Sequence, residues 1–271
     1  MKDIMKLELF QLKKSKLFWI MLALSFALPI FSMLLVLMFL AAFNITLGPL
    51  NALFESIPLI TIFLQSMAEI SSISGILALI TMGVVLGKEF SGGTVRNIIT
   101  ANKSRRALFF SYFFVSLIVG VSYFLCHFMA IMLVGAPIFG FSILTAKQSL
   151  VAVFSSLGIG MLALIFTQSC VCMFLFCVRK QWAAIVLPLL IVVLVPSVFT
   201  LIVNMYSNVL LAGGMTTSYH SLYWVPFANL SLFFPASADG ELIGAIVMYY
   251  VIFITVFIVS GYFTFKKADL K

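Results

Sequence analysis

Long apolar runs, cut by clusters of Lys and Arg, constrain this chain more than any other feature. From Leu17 to Phe43 no charged side chain occurs. Comparable runs occupy about 67–87, 107–135, 150–178, 183–206 and 242–265, and only the first of these carries a carboxylate, Glu69. A helix that crosses the hydrocarbon core of a bilayer needs about 20 mostly apolar residues. It must also satisfy every backbone polar group internally. Six such runs predict an all-α polytopic membrane protein with six transmembrane helices. Apolar residues make up 63% of the chain and charged ones 9%, against roughly 45–50% and 25% in globular proteins. That balance leaves no room for a large soluble domain, so 1–271 reads as a single transmembrane domain.

The formal charge of +8 does not point to nucleic acid, because the basic residues are placed by topology. Of 16 Lys and Arg, all but Lys147 fall in four clusters: Lys2–Lys16, Lys88–Arg106, Arg179–Lys180 and Lys266–Lys271. By the positive-inside rule these clusters mark cytoplasmic ends, so both termini are expected inside. Lys147, with Pro137 and Gly140, is expected in an outer turn.

Residues 1–16 are too charged to span. With Met5, Leu9 and Leu12 on one side, they read as an interfacial helix whose lysines sit near anionic headgroups. The apolar run that follows is too long for a signal-peptide core, and Pro29 is expected to kink it. Glu69 falls near the outer end of the second span. Intramembrane carboxylates are functional candidates, although a solvated residue at the helix mouth reads equally simply. Pro188 and Pro196 are expected to kink span five. The apolar centre of the next segment, Leu222–Phe234, would reach only about 20 Å as a helix and cannot cross a core about 30 Å thick. It reads as re-entrant outer helices between spans five and six. Tyr223, Trp224, Pro226 and Phe227 form a possible gate there, with a plain interfacial anchor as the alternative.

Between spans two and three lies the longest internal water-facing stretch, Lys88–Arg106 (KEFSGGTVRNIITANKSRR). Gly92 and Gly93 can end the incoming helix. Thr94 or Ser91 can cap a short new one, and Ser104 the helix after it. Val95, Ile98 and Ile99 fall at i, i+3 and i+4, on one face. The result is a short amphipathic helix suited to docking.

The run Gly-Lys-Glu-Phe-Ser-Gly-Gly-Thr-Val-Arg-Asn-Ile-Ile-Thr from Gly87, followed by Ser104-Arg105, resembles the first cytoplasmic loop of ABC-2-type transporter permeases. That resemblance implies a coupling helix that fits a cleft on a separate ABC ATPase subunit. The coupling residues would be Glu89, Gly93, Thr94, Val95, Arg96, Ile98 and Ile99, with Glu89 paired to a cytoplasmic arginine or holding the loop. It implies no cofactor in this chain, ATP and Mg being bound by the ATPase. It also implies a second permease copy or homologue, and export of an amphipathic peptide, antimicrobial, drug or lipid-linked cargo across a bacterial cytoplasmic membrane.

The residues themselves supply no catalytic or metal site. Gly83 to Lys88 has the flavour of a phosphate loop but lacks its spacing and its Ser or Thr, and reads better as a small-residue helix contact. Cys126, Cys170, Cys172 and Cys177 lie inside spans and read as small buried hydrophobes. His127 and His220 lack zinc-protease spacing. A self-sufficient ion-coupled carrier is the alternative from another class. It expects internal repeats and several buried charges, which the sequence lacks.

Overall fold

Among the described residues the chain forms eight α-helices and no strand. The computed structural model describes residues 2–42, 59–100, 104–139, 147–178, 180–194, 198 and 240–267. The helices are α1 (Lys2–Lys14), α2 (Lys16–Ala42), α3 (Leu59–Ser91), α4 (Thr94–Thr100), α5 (Arg105–Phe139), α6 (Lys147–Val178), α7 (Gln181–Leu189) and α8 (Gly240–Lys267). A π-helical turn, Leu190–Leu194, continues α7.

α3 is the axis of the bundle and packs against α2, α5, α6 and α7, while α8 lies outside on α6 and α5. The sequence explains this arrangement through its small residues. A Cβ on Gly83 would lie 2.5 Å from Ile185 Cγ1, and one on Gly87 would lie 2.8 Å from Gln181 Cα. Only glycine permits α7 to approach α3 so closely, and the small Ala183 and Ala184 are buried there. The Gly83–Gly87 pair is thus a helix contact. Across the bundle, Tyr123 of α5 joins three helices. Its hydroxyl donates to Phe18 O of α2 at 3.1 Å and lies 3.1 Å from Thr81 Oγ1 of α3. Ser25 Oγ of α2 donates to Tyr123 O at 2.7 Å. With few apolar-versus-water differences to sort helices in a membrane, such bonds and close approaches fix which faces meet.

Four helices are long and apolar enough to cross a membrane among the described residues: Ile73–Ser91, Arg105–Val134, Leu157–Val178 and Val247–Lys267. A fifth is the pair α1 and α2, if counted as one span, with a bend of 70° at Ser15. The bend is held by Trp19 Nε1, which donates to Lys13 O at 2.9 Å, and by Ser15 N donating to Leu12 O. The fifth span expected from sequence is described only over Gln181–Leu194. Pro188 lies inside that helix and lacks an N–H, so the ladder opens into the π turn that follows it. Lys147 is the first residue of α6 instead of lying in a turn.

One end of the bundle collects the basic clusters. Arg105 Nη1 donates to Lys266 O at 2.9 Å, which sets the start of α5 beside the end of α8. Gly87 and Gln181 set the end of α3 beside the start of α7. The contact of α1 with α5 brings the N-terminal lysines to the same region. Charges from four distant stretches of sequence therefore share one face of the molecule.

Candidate functional site

At this basic end three helices meet around a buried acid pair. α1 turns Ile4, Glu8 and Leu12 inward, a spacing of four that aligns them on one face. Glu8 is thus a carboxyl group placed at an apolar register position, and it is 1% exposed. Glu89, in the last turn of α3, is also buried. From α5, Tyr112 points to the same spot and its hydroxyl donates to Glu89 Oε2 at 2.6 Å.

The short bond and the burial define the electrostatics. Glu89 Oε1 and both oxygens of Glu8 are buried with no hydrogen-bond partner. Burial, and secondarily the neighbouring Glu89 carboxyl, push the Glu8 carboxyl up to about 9. A carboxylate so placed would face both desolvation and repulsion, so Glu8 keeps its proton at neutral pH. The Glu89 carboxyl beside it supplies the repulsion. The arrangement locks α1, α3 and α5 together at one point. Pairing with an arginine and holding the loop both remain expectations for Glu89; its hydrogen-bond partner among the described residues is Tyr112.

The chain runs from this lock straight into α4. After Glu89 the chain ends α3 through Gly92 N donating to Lys88 O at 2.8 Å. Gly93 then takes φ +73°, a left-handed conformation that favours glycine. Its carbonyl accepts from Asn97 N at 3.1 Å, so Gly93 opens α4 and Thr94 is the first helical residue. Ser91 does not cap this helix but donates back to Lys88 O. Ser104 does cap α5, accepting from Ala107 N at 3.2 Å.

The apolar face of α4 turns inward. Val95 is 2% exposed and belongs to the chain's own core, with Ile98 and Ile99 packed half-buried against that core. Val95 is thus taken up by the chain's own core, while Ile98 and Ile99 are divided between that core and the surface. The mounting of α4 uses them, because a seven-residue helix cannot hold itself without tertiary contact. What faces outward is polar: Lys88, Ser91, Gly92, Asn97 and Thr100 are exposed.

The remaining sequence candidates separate from this site. Glu69 lies within α3, with its side chain outside the described residues. The Arg96 side chain and the candidate gate of Tyr223, Trp224, Pro226 and Phe227 are also outside them. Cys170 and Cys172 are buried, and Cys126 Sγ lies 3.7 Å from Leu22 O. No group of three or more His, Cys, Asp and Glu side chains among the described residues could hold a metal. Sequence reasoning missed Glu8 and Tyr112. The one signal for Glu8 was its register, four residues from both Ile4 and Leu12.

A family model described as "ABC-2 family transporter protein" matches residues 4–195, which takes in α1 to α7 with the acid pair, Tyr112 and α4. Nothing among curated proteins or solved structures matches the chain.

Proposed function

Because this chain belongs to the ABC-2 family of transporter proteins, we propose that it is the membrane subunit of an ABC exporter. It would take its energy from a separate cytoplasmic ATPase and move an amphipathic cargo outward. The observation that carries this reading is the mounting of α4. A short helix is fixed to the bundle by its apolar face, shows a polar face outward, and follows in sequence a buried lock that ties α1, α3 and α5 together. A push on α4 would pass to all three helices through Glu89, Glu8 and Tyr112.

We assign the basic end to the cytoplasm by the positive-inside rule, which places α4 where a cytoplasmic ATPase can reach it. Two such subunits, identical or related, would pair in a bacterial cytoplasmic membrane above two ATPases. The cargo class is an amphipathic peptide or antimicrobial, a drug or a lipid-linked molecule.

The docking surface on this account is Asn97, Thr100, Ser91 and Lys88, not the apolar face. An Asn97→Trp variant should insert normally and lose its ATPase, since a bulky ring blocks a polar contact while Val95, Ile98 and Ile99 still hold the helix. Affinity purification from the native membrane should recover a Walker-motif ATPase with the parent chain. The variant should recover about ten-fold less or worse, equivalent to about 1.4 kcal/mol of lost binding. Transport driven by an ion gradient with no ATPase recovered from either chain would favour the ion-coupled carrier instead.

A further inference from the structure

One face of α5 carries two adjoining cavities that share Phe114. The first, about 480 Å³, is lined by Met5 of α1 and by Phe114, Leu117, Ile118, Val121 and Ser122. The second, about 380 Å³, is lined by Ser104, Arg106, Ala107, Phe110 and Phe114, nearer the basic end. Their residues recur every three or four positions, so the two form one strip along the helix. The strip is apolar at one end and cationic at the other.

We propose that this strip binds an anionic phospholipid of the leaflet at the basic end, its phosphate at Arg106 and one acyl chain in the apolar groove beside Met5. Charge and length select this occupant. Arg106 is exposed and makes no hydrogen bond or ion pair with a described residue, whereas its neighbour Arg105 binds the last carbonyls of α8. No carboxylate lines either cavity. The first N–H groups of α5 add partial positive charge at the same place. From Phe110 to Ser122 the groove runs about 18 Å at 1.5 Å per residue, close to half of a core about 30 Å thick. A single leaflet's acyl chain has that length, and its phosphate then falls level with Arg106. A second copy of the chain fits less well. Among the described residues its acids near the basic end are Asp3 and the buried Glu8 and Glu89, which leaves few to meet Arg106.

The test uses the full-length protein purified in a neutral detergent, with any bound ATPase retained. Phosphatidylglycerol should raise its Tm by about 3–5 °C more than phosphatidylcholine with the same acyl chains, the shift expected at about ten times Kd for a chain of this size. Glycerol 3-phosphate, which has the headgroup charge without the chains, should give no shift. Arg106→Gln should abolish the advantage of phosphatidylglycerol and leave Tm in detergent alone unchanged. Ile118→Trp, at an exposed position that tolerates a large ring, should fill the groove and abolish it too. An undiminished advantage in Arg106→Gln overturns the proposal, as does its absence in the parent protein. So does efficient disulfide formation between two copies of an Ile118→Cys variant, which would give the face to a second chain.

Discussion

A Gly87→Val substitution is expected to separate α7 from α3 and to lower stability more than any other single change considered for this bundle. A Cβ at Gly87 would lie 2.7 Å from Gln181 Cγ, 2.8 Å from its Cα and 2.9 Å from its Cβ. The Cα is backbone, so no rotamer change relieves the clash and α7 must move as a whole. Overpacking of this kind costs about 1–3 kcal/mol for extra methylenes in a tight core, and a branched side chain against backbone lies at or beyond the upper end. For a chain of this size that corresponds to a fall in Tm of about 6–12 °C. Gly158 supplies the control, because a Cβ there meets nothing within 4 Å. Gly158→Ala should leave Tm unchanged or raise it slightly, since alanine is the better helix former. Thermal unfolding of both variants in the same detergent checks the pair. Equal Tm values for Gly87→Val and the parent would show that α3 and α7 do not pack in this way.

Glu8→Gln is expected to remove most of the pH dependence of the contact between α1 and the bundle. In the parent, the packed Glu8 holds its proton up to about 9, against an ordinary value of 4.5. Between those values the packed state binds a proton that the detached state has released, so stability is greatest below pH 4.5 and falls as pH rises towards 9. The groups facing Glu8 are Glu89 and Tyr112, and neither supplies a positive charge to reverse that slope. Glutamine keeps the shape and the hydrogen-bonding capacity of the neutral acid without a proton to lose. The variant should therefore be more stable than the parent at pH 8, by on the order of 1–3 kcal/mol, and nearly level with it at pH 5. Amide exchange across Lys2–Lys14 as a function of pH reads this directly. The same slope in both proteins would mean that Glu8 is not the titrating group.

The sequence displayed the architecture where the signal was long and one-dimensional. Apolar runs and basic clusters revealed the long helices, and the clusters gather at one end as their sign requires. The face of α4 was equally legible from Val95, Ile98 and Ile99. Which neighbour that face meets was not, because a helical period is the same whether the apolar stripe packs on its own chain or on a partner. Glu8 escaped for a related reason. A glutamate among lysines in a short amphipathic helix reads as solvated until the helix is seen to dock on α5. Tyr112 was hidden in an apolar run where every position looks alike. The unusual feature of the site, a carboxyl group on an inward face, arises from three segments far apart in the chain, and no local pattern records it.

The central claim is that α4 receives a cytoplasmic ATPase through its polar face, and photo-crosslinking tests it most directly. A benzoyl-phenylalanine placed at position 97 in α4, with a second at position 252 on the exposed side of α8 as control, would be irradiated in native membranes. The account predicts an adduct at position 97 that contains a Walker-motif ATPase chain and no such adduct at position 252. An ATPase adduct at 252 but not at 97, or none at either while transport proceeds, would contradict it.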